Sequence, residues 1–196
     1  MDAKRKNEIR GIAKRINDES EKYQLAHACQ ATEHILRNDT KEHYRPKHDD
    51  IVARLKNETD PEKIKGIRKE LEELKKKVAA PNIKIDYLEH LSWGSARAYR
   101  INGTIRISLP RDMTCLRKES GELDIGRMRA LRELMAHELG HVILHNKHAN
   151  MKAGLQGTHE FGGEHEEEAN FFGSELLEMR RKRNDELYKD GNYRKI

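Results

Sequence analysis

The chain is poor in the residues that fill large cores. Phe, Trp and Tyr together make 5% of its 196 residues, while charged residues make 37%. Much of every helix face must therefore be solvated, and the core must be modest. Cysteine is almost missing. Cys29 and Cys115 stand far apart and form no C-x-x-C pair. That removes a dithiol redox motif and a cysteine zinc site, and the two read as free buried thiols. No run of about 18 apolar residues exists, which excludes a membrane-spanning helix. The opening stretch, Met1-Asp-Ala-Lys-Arg-Lys-Asn7, lacks the apolar centre of a secretory signal, so a cytoplasmic location is expected. A strong excess of one charge sign is missing too. The net charge is +5, with acids and bases mixed throughout. An acidic partner is permitted, but nucleic acid is not demanded, and the expectation is against it.

Only four prolines occur, which leaves room for long helices. Residues 3–38 contain none, and the apolar residues Ile9, Ile12, Ile16, Tyr23, Ala26, Ile35 and Leu36 form a broken stripe. This predicts one long helix or two joined ones. Asn38-Asp-Thr40 reads as a stop. Pro46 suits the first turn of a second helix bearing Ile51, Val52 and Leu55. Thr59 or Asp60 then caps a third, with Ile64, Ile67, Leu71, Leu74 and Val78 on one seam. Residues 1–80 thus read as a helical module. It is either an arm for partner docking or dimerisation, or a helical layer packed on the domain that follows. Beyond Pro81 the period changes to two. Ile83–Leu88, Ala96–Ile101 and Thr104–Leu109 alternate apolar with polar residues, and Asn102-Gly103 is a two-residue hairpin signal. A small antiparallel meander is expected, with a loop at 92–95 in which Trp93 is a core or loop anchor. An irregular, glycine-rich stretch fills 146–163, and a last helix runs from Glu164 to Tyr188. The basic run Arg180–Arg183 near its end reads as a solvated face at a helix C-terminus.

The chemistry centres on Arg132–His145, where His137, Glu138 and His141 spell H-E-x-x-H. Met128, Leu131, Met135, Leu139 and Val142 recur at spacings of three and four, the stripe of a helix buried along one side. Asp124 is its expected cap. Residues four apart lie nearly above one another, so the two imidazoles can share one ion. Glu138 then stands beside the ion, where a general base for an activated water belongs. A catalytic zinc takes three protein ligands. The position ten residues after His137, where one class of zinc peptidase has a third histidine, is Lys147. The run Glu164-His-Glu-Glu-Glu168 supplies the alternative. Glu168 lies on the apolar stripe of Ala169, Phe172, Leu176 and Met179 and is the expected ligand. Glu164, one turn earlier, comes next, and Glu166 and Glu167 lie off that stripe.

The run His-Glu-Leu-Gly-His-Val-Ile-Leu-His145, followed by Glu-Glu-Ala-Asn-Phe-Phe-x-x-Glu-Leu-Leu177, resembles the ImmA/IrrE family of metallopeptidases over about residues 83–180. Gly173 stands where that family usually has alanine, and Glu178-Met179 replaces a common Met-Pro. The resemblance implies an α+β, zincin-like metallopeptidase domain over 81–196, preceded by the helical module 1–80. It implies Zn²⁺ held by His137, His141 and Glu168, with Glu138 catalytic. It also implies an intracellular endopeptidase acting on a helix-turn-helix repressor. A zinc-stabilised regulator that binds such a partner without cutting it is the alternative. For a second oxyanion donor the candidates are His145, His159, His165 and Tyr99. The exposed edge of the 104–109 strand is expected to pair with an extended peptide.

Overall fold

The computed structural model describes residues 1–20, 25–78, 82–89, 91, 96–101, 104–122, 124–145 and 163–189. Tyr23, the 92–95 loop with Trp93, the Asn102-Gly103 turn, and the 146–162 stretch with His159 lie outside the described residues. Among the described residues five helices and three strands follow in order. They are α1 (Ala3–Glu19), α2 (Leu25–Asn57), α3 (Pro61–Val78), β1 (Ile83–Leu88), β2 (Arg97–Ile101), β3 (Thr104–Pro110), α4 (Ile125–Leu144) and α5 (Gly163–Lys189). The class is α+β, as expected. No helix among the described residues is long and apolar enough to cross a membrane.

The chain divides into two compact units, one of Met1–Thr32 with Asn82–Ile196, the other of Glu33–Pro81. The later break lies one residue past the 80/81 boundary of the sequence reading, and Met1–Thr32 groups with the segment after it. Helix α1 starts at a cap in which the Asp2 side chain accepts the Arg5 N–H at 2.7 Å. Ile9, Ala13 and Ile16 give it one fully buried face, and Arg10 pairs with Glu175 of α5 at 2.8 Å. An apolar stripe shows that a helix has a partner but not which one, so the sequence left α1 with its neighbours in the chain.

In the second unit Ile51 of α2 packs with Ile67 and Leu74 of α3, flanked by Tyr44, Leu55 and Leu71. Asp60 caps α3, its side chain accepting the Glu62 N–H at 2.9 Å. The expected stop at 38–40 does not occur, and Pro46 lies inside α2 rather than opening a helix. The Thr40 hydroxyl donates to the Leu36 carbonyl at 2.6 Å, turning back onto its own helix instead of ending it. An interior proline costs about 3 kcal/mol. Tyr44 before it and Ile51 and Leu55 after it all join one cluster, so packing on both sides holds the helix through it.

The sheet is mixed, not an antiparallel meander. Its order is β1-β3-β2. β2 pairs antiparallel with β3, Ala98 opposite Ile107, and β1 pairs parallel with β3, Ile85 opposite Ile107. Alternation assigns faces but not neighbours or directions. Because β3 is the central strand, both its edges are taken, and it cannot receive a peptide. Ile105, Ile107 and Leu109 are fully buried.

Helix α4 is capped by Asp124, which accepts the Arg127 N–H at 3.0 Å. It packs along α5 with Leu139 and Val142 of one helix and Ala169, Phe172 and Leu176 of the other wholly buried. The approach is close at two glycines. A Cβ on Gly140 would lie 3.0 Å from the Ala169 Cα, and one on Gly173 would lie 3.1 Å from the His137 nitrogen. Farther along α5 three residues of the basic run have partners. Arg180 donates to the Ser20 hydroxyl, and Arg181 and Lys182 pair with Glu178. Cys29 is buried, but Cys115, expected to be buried, is exposed, since it follows the short turn Arg111–Thr114 outside the sheet.

Candidate metal centre

One turn of α4 separates His137 from His141, and their Nε2 atoms lie 3.0 Å apart. The third group comes from the first turns of α5, and it is Glu166. Its Oε2 lies 3.2 Å from His137 Nε2 and its Oε1 lies 3.3 Å from His141 Nε2. One donor atom from each of the three side chains falls within 4.8 Å of the others. Glu168, expected to complete the set, points elsewhere. It is held by Arg5 through Nε at 2.6 Å and Nη2 at 2.8 Å, and by His145 Nε2 at 3.0 Å.

The difference from the sequence reading has a geometric cause. Residues two apart on a helix face nearly opposite ways. The buried stripe identifies the side turned into the helix interface, and Glu168 is indeed there, 8% exposed at its side chain. A metal site that admits substrate opens to solvent, and Glu166, 40% exposed, stands on that side. A signal for it did exist. Asn170 lies four residues after Glu166, on the same face, and its Oδ1 sits 3.0 Å from His137 Nδ1. A carboxylate and a hydrogen-bonding amide four apart supply one ligand and orient another. Glu164 is exposed.

Glu138 is buried beside the three donors. Burial pushes its carboxyl up to about 8, the charge of Glu166 pushes the same way, and an N–H from Ala98 of β2 opposes both. Burial and the neighbouring imidazoles of His137, His145 and His165 bring His141 down to about 2. His141 is therefore neutral at physiological pH, with a lone pair to offer. Two imidazoles and a carboxylate are a zinc-type donor set. Two adjacent carboxyl groups, one of them desolvated, favour a cation between them. The residues fit a divalent metal.

The remaining candidates separate clearly. His145 ends α4 and is buried, its Nδ1 3.1 Å from His141 Nδ1. It stands behind a ligand rather than facing solvent. His165 stacks edge-on against His145 at 4.5 Å. Tyr99 is buried, and its hydroxyl accepts from Ser108 at 3.3 Å within the sheet.

Helix α4 with its two imidazoles and buried acid, and α5 with its carboxylate, form a metallopeptidase-type centre. Residues 130–193 match the peptidase M78 family model, the IrrE N-terminal-like domain, so this part of the chain is similar to that family. No curated protein and no solved structure matches the chain.

Proposed function

We propose that the protein is a zinc-dependent endopeptidase acting in the cytoplasm on a helix-turn-helix transcriptional repressor. The observation that carries the reading is the convergence of His137, His141 and Glu166, with the charge of Glu166 acting on the buried Glu138. The substrate class comes from the family resemblance. Bound among these donors, Zn²⁺ would polarise a scissile carbonyl and acidify a water. Glu138 takes the proton of the attacking water on its carboxylate and returns it to the leaving amine. The Ala98 N–H holds that carboxylate in place. Asn170 orients His137. Among the described residues β2 is an outer strand of the sheet, and it replaces the 104–109 strand as the place for an extended peptide.

The test is incubation of zinc-loaded protein with a repressor encoded beside it. Wild type should cut it. Glu138→Gln should bind zinc within threefold of wild type and cut about 10²–10⁴-fold more slowly, the usual range for losing a general base. Equal cutting by the variant refutes the mechanism. Repressor inactivation by both proteins without any cut favours the non-catalytic regulator.

A further inference from the structure

A chain of hydrogen bonds runs from α1 to the metal centre. Arg5 grips Glu168 with two nitrogens, at 2.6 and 2.8 Å. Glu168 Oε2 lies 3.0 Å from His145 Nε2, and His145 Nδ1 lies 3.1 Å from His141 Nδ1. His141 Nε2 faces His137 and Glu166. Resting on the reading of His137, His141 and Glu166 as ligands, we propose that Arg5 is a positioning residue for the metal. Through Glu168 and His145 it fixes which ring nitrogen of His141 carries the proton.

The argument is one of hydrogen-bond direction. A guanidinium has five donors and no acceptor, so the chain cannot reverse at its outer end. The Glu168 carboxylate can only accept, so His145 must donate from Nε2. A neutral His145 then has its lone pair on Nδ1, and His141 must donate to it from Nδ1. That leaves the His141 lone pair on Nε2, aimed at the ligand position. The opposite arrangement would set the lone pairs of His145 Nε2 and Glu168 Oε2 against one another across 3.0 Å. The other ligand lacks such a lock. His137 Nδ1 meets Asn170, whose amide offers an acceptor or a donor according to its rotation. Arg5 also reaches the site from outside residues 130–193, so a short α4–α5 fragment would carry the ligands without the group that orients one of them.

The first measurement uses wild-type protein loaded with Zn²⁺ and ¹⁵N-labelled at histidine. His145 is expected as the neutral Nε2–H tautomer. An Nδ1–H tautomer or a doubly protonated ring overturns the proposal, and this result does not depend on any variant folding. The second is zinc affinity by competition with a chromophoric chelator. Arg5→Gln should raise the Kd 10–100-fold, the range for outer partners of metal ligands, and Arg5→Lys should recover part of the loss. Arg5→Gln in a His145→Phe background should cost nothing further. A purely structural Arg5 would lower the melting temperature of metal-free protein and leave the Kd within threefold, which refutes the proposal. If wild type takes up no zinc, the peptidase reading itself falls. If wild type binds and Arg5→Gln binds equally, only the role of Arg5 falls.

Discussion

Exchanging Glu166 for glutamine keeps the side chain's size and removes its charge. Glu168→Gln makes the same change two residues away. The structure makes the first a ligand and the second a support of the fold that reaches the metal only through His145, at about 10–100-fold in affinity. Glu166 contacts the Nε2 atoms of both histidines. If the roughly 10–16 kcal/mol of a four-ligand zinc site is shared equally, one ligand accounts for about 2.5–4 kcal/mol, or about 10²–10³-fold in affinity. Metal-free protein should not suffer, because Glu166 is half exposed and its charge works against the buried Glu138. Glu168→Gln leaves Arg5 with a neutral partner. Hydrogen bonds to charged groups are worth about 1.5–3 kcal/mol. Arg5 is 35% exposed, and screening trims this to about 1–2 kcal/mol. At roughly 2–4 °C per kcal/mol, metal-free Glu168→Gln should melt about 2–8 °C lower. Calorimetry of both metal-free variants and a competitive zinc titration read the two effects separately. Wild-type zinc affinity in Glu166→Gln, with a loss in Glu168→Gln beyond the roughly 10–100-fold of an outer partner, would show that Glu168 and not Glu166 holds the metal.

The glycines of unit one give an ordered series. Alanine gains about 1 kcal/mol over glycine within a helix. At Gly11, where a Cβ meets nothing within 4 Å, Gly11→Ala should raise the melting temperature. At Gly140 and Gly173 the new Cβ presses on helix backbone, and overpacking costs about 1–3 kcal/mol. Gly140→Ala should therefore be destabilising, and Gly173→Ala near neutral. A thermal-melt ranking with Gly140→Ala most stable would contradict the close α4–α5 approach. Metal removal is a further check. A ligand at 1,000 times its Kd stabilises by about 4.1 kcal/mol. EDTA should thus lower the melting temperature by roughly 8–16 °C, and an unchanged melt would count against an ion bound by the folded state.

Much of the site was legible because it rests on local periodicity. His137, Glu138 and His141 follow from the four-residue repeat of a single helix, and the Asp124 cap from chemistry three residues long. What failed was information carried between elements. The choice between Glu166 and Glu168 depends on which flank of α5 faces the cleft, and the apolar stripe marks only the interface. The direction of β1 depends on how the chain crosses the sheet, which alternation in Ile83–Leu88 does not encode. The stop signals at Asn38–Thr40 and Pro46 were real local preferences, overridden by Tyr44, Ile51 and Leu55 sharing a cluster with α3. Arg5 gave no signal at all, since one arginine among many lysines and arginines on a polar helix face looks like solvated surface.

The pairing of Arg5 with Glu168 joins positions 163 residues apart. On a ribosome moving at about 5–20 residues per second, the arginine emerges roughly 8–33 s before its carboxylate exists. Throughout that interval α1 must wait without its partner, and nascent protein can hold no finished centre. A centre built this way cannot assemble before residue 168 has been added to the chain.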